Sequence, residues 1–372
     1  MLARDTPHGH LALSALGAIL IFSLACISDS GGGGGATPDA GSPDAEPVAD
    51  EGPVEAPLEE WTWVDFPTTK CGNGEATGLG VNLTDRSDDV VVYFQGGGAC
   101  WDVNTCFVLN SAVNITTGYP ARRFENEPIR NADPFDRENP DNPFRDASFV
   151  FVPYCTGDLF SGDNVETYQA LGQSRDVHHV GAANIETYLD RLAPTFPGER
   201  KVLVTGSSAG GYGAQLSFHQ FVEAFPDAEL HSLSDCGPMV QPLQGRWTAM
   251  ARAWEPRTPG GCGDCIDGLP QWLDHAVSSN PGSRFGLLAY DADAIVSVYF
   301  GYPLDGAFTN ALGRLSADSY VPAANANHFI LAGTEHTMLG GFSNLSSPDG
   351  VALSEWVASW TKGDEDWVDV SP

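Results

Sequence analysis

Five short runs of apolar residues occur between positions 90 and 332, and each predicts a buried strand. They are Val90 to Phe94 (VVVYF), Ser148 to Val152 (SFVFV), Val202 to Thr205 (VLVT), Gly286 to Tyr290 (GLLAY) and Phe329 to Ala332 (FILA). The runs are continuously apolar rather than alternating, which is typical of strands covered on both faces of a sheet. Two intervening segments predict helices: Asn184 to Leu192, and Ala209 to Phe225 as one helix that ends before Pro226.

Strands that alternate with helices predict an α/β fold: a mostly parallel central sheet with helices on both faces. Catalytic residues in such sheets gather at the carboxyl ends of the strands. Candidate catalytic residues are therefore expected directly after the predicted strands.

The N-terminal part has a different composition from the rest of the chain. Leu11 to Leu24 is uncharged, too short to span a bilayer, and follows a head whose basic residue is Arg4. The Ser-Leu-Ala-Cys that ends at Cys26 resembles a bacterial lipoprotein signal, although its leucine lies one position closer to the cysteine than usual. We expect residues 1–26 to be a signal peptide of the lipoprotein type, with a lipid on Cys26; simple secretion and an uncleaved anchor are the alternatives.

Residues 27–60 are rich in Gly, Pro, Ala, Asp and Glu and contain no Lys or Arg. Such a segment buries too little apolar area to offset its ordering entropy, so it predicts a disordered acidic tether. Residues 61–372 then form a single catalytic domain. The expected location is the cell envelope, as a lipoprotein, or otherwise the secreted fraction.

Net charge limits the classes of partner. The formal charge is −31, from 49 acidic and 18 basic residues. This charge opposes binding to phosphate backbones, so we expect no nucleic-acid partner, and it disfavours a polyanionic substrate unless a local basic patch exists. We expect a monomer.

Eight cysteines in an exported chain predict disulfides. If Cys26 carries lipid, seven remain and at least one is unpaired. The Cys-x-x-Cys at Cys262 and Cys265 lacks a second such pair or nearby histidines, so a disulfide that involves one of them is favoured over zinc. The residues alone leave the pairing open for Cys71, Cys155, Cys236, Cys262 and Cys265.

Gly206-Ser207-Ser208-Ala209-Gly210 fits the Gly-x-Ser-x-Gly pattern, with a predicted strand before it and a predicted helix after it. That is the setting of a nucleophile elbow, which exposes the central hydroxyl above the sheet and aims the next amide at the same space. The pattern assigns Ser208 as the nucleophile and Ala209 as an oxyanion donor; Ser207 lies at a position that is not presented in this way.

A serine nucleophile needs a base and an orienting acid. Asp291 follows the strand GLLAY and His336 follows the strand FILA, in the chain order expected for this fold. The alternatives are Asp293 or Asp235 for the acid, and His328, His231, His178 or His179 for the base.

The glycine run at positions 96–98 follows the strand VVVYF and predicts an oxyanion loop, with Gly97 or Gly98 as donors; the alternative is a tight turn without catalytic duty.

Five segments resemble the pectin acetylesterase family, which includes the Notum carboxylesterases. They are FQGGGACWDVNTC, VPYCTGDLFSGD, VLVTGSSAGGYGA, YDADA and EHTML, in order between Cys71 and Leu339. The resemblance implies an α/β-hydrolase-like fold, a triad of Ser208, Asp291 and His336, and a disulfide between Cys100 and Cys106.

Two features depart from that family. Its members often have Trp directly before the first loop cysteine, where this chain has Ala99 with Trp101 after the cysteine, and Cys236 stands close to the predicted site. We expect a serine carboxylic-ester hydrolase that removes O-acetyl or other short acyl groups from a polysaccharide or a small ester, without metal or organic cofactor. The rival is a surface-tethered binding module of the same fold without catalysis.

Overall fold

The computed structural model describes residues 52–170, 172–198 and 200–372. The predicted signal peptide, the lipid site at Cys26 and most of the predicted tether lie outside the described residues.

The described residues contain an eight-stranded sheet in the order β1-β2-β4-β3-β7-β8-β9-β10, and a separate antiparallel hairpin of β5 and β6. The strands are β1 Thr62–Phe66, β2 Thr77–Asn82, β3 Val90–Phe94, β4 Ser148–Val152, β5 Asn164–Ala170, β6 Gln173–His179, β7 Lys201–Ser207, β8 Glu229–Asp235, β9 Phe285–Tyr290 and β10 Ala326–Leu331. All pairings from β4 through β10 along the sheet are parallel, whereas β2 pairs antiparallel with both β1 and β4. The predicted α/β fold with a mostly parallel sheet is confirmed.

The helices cover both faces of this sheet. They are α1 Ala121–Glu125, α2 Gly181–Thr195, α3 Ala209–Leu216, α4 Phe218–Ala224, α5 Arg246–Trp254, α6 Leu269–Ser279, α7 Ala294–Phe300, α8 Ala307–Leu315 and α9 Leu353–Lys362. Successive strand side chains point to opposite faces. Thus Val90 and Val92 join a core that includes α2 to α8, while Val91 and Tyr93 join a second core with α1 and α9.

The predicted single helix from Ala209 to Phe225 is wrong, because α3 ends at Leu216 and α4 begins at Phe218. Between them, the Ser217 hydroxyl donates a 2.6 Å hydrogen bond to the carbonyl of Gly213. A serine that bonds back to the preceding turn in this way competes with the helical backbone pattern and bends the chain.

The tether prediction extends too far toward the C-terminus. Val54 is buried in the core, and its amide donates a 2.6 Å hydrogen bond to Thr195 Oγ1 on α2. The amide of Glu59 donates a hydrogen bond to the carbonyl of Leu83, and its side chain forms an ion pair with Arg86. The globular unit therefore begins before residue 61, because apolar side chains among the acidic residues find places in the core.

Three disulfides stabilise the described residues: Cys71–Cys155, Cys100–Cys106 and Cys262–Cys265. The pairing of Cys100 with Cys106 was predicted and is confirmed, and the bond between Cys262 and Cys265 removes those thiolates as zinc ligands. Disulfides persist in oxidising compartments, which supports export. In the part of the chain that the structure describes, no helix is long and apolar enough to cross a membrane.

Candidate active site

The turn after β7 has the strained geometry of a nucleophile elbow. β7 ends at Ser207, α3 begins at Ala209, and Ser208 between them has φ 57° and ψ −122°. A Cβ at Gly206 would lie 2.5 Å from the carbonyl oxygen of Phe94 on β3, so only glycine lets the turn lie this close to the neighbouring strand. The predicted strand-turn-helix setting of Ser208 is therefore present.

Ser208 and His336 line one small cavity, of about 30 Å³. Its other lining residues are Gly98, Ala99, Leu159, Ala209, Tyr212, Ile295, Val296, Tyr299 and Phe300. The Nε2 atom of His336 is buried and has no hydrogen-bond partner among the described residues. In unliganded sites the contact between a nucleophile and its base is often long, so this free nitrogen suits a base that faces the cavity.

Asp293, and not the predicted Asp291, contacts the imidazole. Asp293 Oδ2 lies 2.6 Å from His336 Nδ1, and a carboxylate is an acceptor, so Nδ1 carries the proton and Nε2 is left free. Asp291 instead accepts a 2.9 Å hydrogen bond from the amide of Gly333. The assignment of Asp291 to the triad is thus wrong on geometry, because that carboxylate caps the turn after β10.

Asp293 is held in place by α7. Its Oδ1 accepts hydrogen bonds from the amides of Ile295, at 2.9 Å, and Val296, at 3.0 Å, so the residue is the N-cap of that helix. Its side chain is 2% exposed. One oxygen therefore fixes the carboxylate, and the other remains available to orient His336.

Three of the four other candidate histidines have structural partners, and the fourth, His178, lies on β6 of the separate hairpin. His179 bonds Tyr168 and the carbonyl of Thr156, and its burial lowers its pKa to about 4. His231 bonds Glu229, and burial likewise lowers its pKa to about 4; His328 bonds Ser371. Among the five candidate histidines, His336 is the one that lines the cavity with Ser208.

The oxyanion prediction has partial geometric support. Gly98 and Ala209 both line the cavity with Ser208, and Ala209 is the first residue of α3, whose first-turn amides have no partner inside the helix. Gly98 has φ 77°, and a Cβ there would overlap Ser111 and the Tyr299 hydroxyl. The carbonyl of Gly97 accepts a hydrogen bond from the amide of Val113. A role for the Gly97 amide as an oxyanion donor stays a prediction.

Cys236 is the free cysteine among the described residues, and it lies beside Asp293 and His336. Its sulfur, a carboxylate oxygen of Asp293 and a ring nitrogen of His336 lie within 4.8 Å of one another. A soft metal ion could use these three ligands, but it would occupy the groups that a base and its orienting acid need.

We expect Cys236 to resist alkylation in the native protein. It is fully buried, and burial raises the pKa of its thiol well above the usual value, so the reactive thiolate is scarce at pH 8. Iodoacetamide should leave the peptide that contains Cys236 unmodified in the folded protein and modify it in 6 M guanidinium, as read by mass spectrometry. Modification at equal rates in both conditions would contradict this packing.

A wider groove of about 580 Å³ adjoins the elbow. Gly96 lies on its wall, and a Cβ there would be 3.2 Å from Ser208 Cβ, so the groove reaches the base of the turn. Arg122 and Arg123 line it together with Glu127, so the lining has more basic than acidic side chains in this otherwise acidic protein.

Parts of the chain are similar to known proteins. Residues 69–253 match the pectinacetylesterase family. Palmitoleoyl-protein carboxylesterase NOTUM of Schmidtea mediterranea is 25% identical over 227 residues, which cover 53% of this chain and 41% of that protein. The Homo sapiens protein of the same name is 25% identical over 187 residues, 48% of this chain and 36% of that protein. The Drosophila melanogaster protein is 27% identical over 154 residues, 40% of this chain and 22% of that protein. The chain thus spans less than half the length of these curated relatives.

Proposed function

Because this chain belongs to the pectinacetylesterase family, we propose that it is a serine carboxylic-ester hydrolase that removes short acyl groups, above all acetyl, from a polysaccharide. The observation that carries the proposal is that Ser208 and His336 line one small cavity, with Asp293 bound to the imidazole.

The proposed mechanism assigns one step to each group. Ser208 Oγ attacks the ester carbonyl while His336 Nε2 takes its proton, and the same nitrogen returns a proton to the leaving alcohol. Asp293 keeps the Nδ1 proton in place and stabilises the imidazolium that forms. Amides at Gly98 and Ala209 receive the charge that develops on the carbonyl oxygen. Water then attacks the acyl-enzyme, and His336 acts as the base a second time.

Cavity size supports a short acyl group. About 30 Å³ is room for about two water molecules, which suits an acetyl methyl but not a long chain. Tyr212, Tyr299 and Phe300 form much of its wall. The relatives are named for a palmitoleoyl substrate, and this cavity argues against such a chain here.

The adjoining groove supports a bulky alcohol such as a glycan. It is much larger than the cavity, and it meets the elbow at Gly96, so a sugar chain in the groove would place an O-acetyl group at Ser208. Arg122 and Arg123 outnumber Glu127 in its lining, so the charge of the groove opposes an acidic polysaccharide less than the overall charge of the protein does.

A series of p-nitrophenyl esters tests the acyl preference of the full chain. We expect kcat/KM to be highest for acetate, about tenfold lower for butyrate and at least about 100-fold lower for octanoate, because each added methylene lacks room. The rate of the Ser208→Ala variant is subtracted from each wild-type rate, which corrects for hydrolysis by surface groups. Release of acetate from a set of O-acetylated polysaccharides shows which class of alcohol the natural substrate carries.

The outcomes separate the alternatives. Equal rates for acetate and octanoate would refute a short-acyl cavity while keeping the esterase. Hydrolysis of none of these esters would refute the enzyme and leave the binding module of the same fold.

We also propose that the protein acts outside the cytoplasm, attached to a membrane by a lipid on Cys26. The three disulfides support export, and the lipoprotein-like segment before Cys26 supports the attachment.

A further inference from the structure

One buried carboxylate contacts both turns of the candidate active site. Asp235, the last residue of β8, is fully buried. Its Oδ2 accepts a 2.5 Å hydrogen bond from Ser207 Oγ, and its backbone carbonyl accepts a 2.7 Å bond from the amide of Ser208. The other contacts go to the turn after His336: Oδ1 accepts from the Met338 amide at 2.8 Å and Oδ2 from the Leu339 amide at 3.1 Å.

These contacts connect the two groups that must meet during the reaction. Ser207 directly precedes the nucleophile, and Met338 lies two residues after the base. Asp235 therefore ties the turn that carries Ser208 to the turn that carries His336 through one rigid side chain.

The chemistry of the contacts suits an ionised carboxylate. The side chain receives three donors and donates nothing, which is the pattern of an acceptor-only group. Tyr93 donates a 2.9 Å hydrogen bond to Ser207 Oγ, so the Ser207 proton is directed toward Asp235. Burial raises the pKa of Asp235 above its usual value, and the hydrogen bonds from Ser207, Leu339 and Met338 reduce that rise without cancelling it.

The backbone around Asp235 is strained at three positions. Ser208, Cys236 and Thr337 have φ values of 57°, 54° and 69°, although none is glycine. Such a conformation is unfavourable for a residue other than glycine and persists only when its surroundings hold it. Asp235 directly precedes Cys236 in the chain. Its backbone carbonyl accepts a hydrogen bond from the amide of Ser208, and its side chain accepts one from the amide of Met338, the residue after Thr337.

We propose that Asp235 is a positioning residue that sets the separation of Ser208 Oγ and His336 Nε2 by clamping the turns that carry them. The inference rests on the proposed ester hydrolysis and names a group that acts through the triad rather than on the substrate.

Asp235→Asn tests the clamp. The amide has one acceptor oxygen, so in either orientation its NH₂ faces a backbone donor, the amide of Met338 or that of Leu339, and the clamp on the turn after His336 is weakened. Because a displacement of about 1 Å can lower the rate about 100-fold, we expect kcat on p-nitrophenyl acetate to fall about 10–100-fold. KM should stay within about twofold, since the residue does not line the cavity. Ser207→Ala removes the link to the elbow alone and should lower kcat about 3–10-fold, also with KM unchanged.

Thr205→Val is the matched control. Thr205 is fully buried in β7, and its Oγ1 donates a 2.8 Å bond to the carbonyl of Leu233 on β8. The variant removes a buried hydrogen bond between the same two strands without touching either turn. We expect a lower Tm and an unchanged kcat per folded molecule, with folding measured by circular dichroism.

Each outcome bears on the proposal. Wild-type kcat in Asp235→Asn, or an equal loss of kcat in Thr205→Val, would overturn it. If Asp235→Asn does not fold, Ser207→Ala decides, and wild-type kcat there overturns it as well. A wild-type protein that hydrolyses no ester refutes the proposed function itself, a result visible before any variant is made.

Discussion

Replacing Ser208 by alanine should lower kcat on p-nitrophenyl acetate by about 10³–10⁶-fold, while the protein stays folded. The hydroxyl is the attacking atom of the proposed mechanism, and the elbow offers no second nucleophile, because the Ser207 hydroxyl is buried and bonded to Asp235. The residual rate should come from the oxyanion donors and from binding alone. Steady-state kinetics on the wild type and the variant measure the ratio.

Ser217→Ala is the matched control for Ser208→Ala. It also removes a serine hydroxyl, at the other end of α3, where Oγ bonds the carbonyl of Gly213. Its kcat should equal that of the wild type. Labelling by a fluorophosphonate gives an independent readout: the wild type and Ser217→Ala should be labelled and Ser208→Ala should not. Labelling of Ser208→Ala would show that another residue is the nucleophile.

The sequence predicted the central strands and the elbow because both have strong local patterns. Val90 to Phe94 and Phe285 to Tyr290 are buried on both faces, and burial on both faces requires an unbroken apolar run. The elbow needs small residues at fixed positions, so its pattern is visible in five residues. These elements place Ser208 and His336 on the correct edge of the sheet.

β8 was missed because its buried residues are largely polar. It reads ELHSLSD, and in it Ser232, Ser234 and Asp235 are fully buried. Ser232 bonds the carbonyl of Ala214, and Ser234 bonds the carbonyl of Gly237. These polar side chains find their partners only in the folded structure, so no pattern of apolar residues marks the strand. The sequence therefore indicates Asp235 only as an alternative triad acid.

The choice between the two aspartates after β9 could not be made from spacing. Asp291 and Asp293 both follow the strand closely, and both lie near the end of β10 in space. The turn decides between them: Asp291 faces the Gly333 amide, and Asp293, as the N-cap of α7, faces His336. A side-chain direction of this kind depends on backbone angles that the residue order does not reveal.

The corrected assignment predicts a large difference between two equivalent substitutions. Asp293→Asn should lower kcat by about 10³–10⁴-fold. Asn keeps the oxygen that caps α7, since Asn is as good an N-cap as Asp, so the fold should survive. Its NH₂ now donates to His336 Nδ1, which moves the imidazole proton to Nε2. A protonated Nε2 cannot take the proton of Ser208, so the loss should appear in kcat, with KM little changed.

Asp291→Asn is the matched control, because it makes the same chemical change two residues away. Its amide oxygen can still accept from Gly333, so the turn after β10 is kept, and kcat should stay within about twofold of the wild type. Kinetics on both variants, with Tm measured for each, decide between the aspartates. If Asp291→Asn loses activity and Asp293→Asn keeps it, the assignment of Asp291 predicted from the sequence is right. The orienting acid would then be Asp291, whose carboxylate accepts a hydrogen bond from the Gly333 amide in this structure.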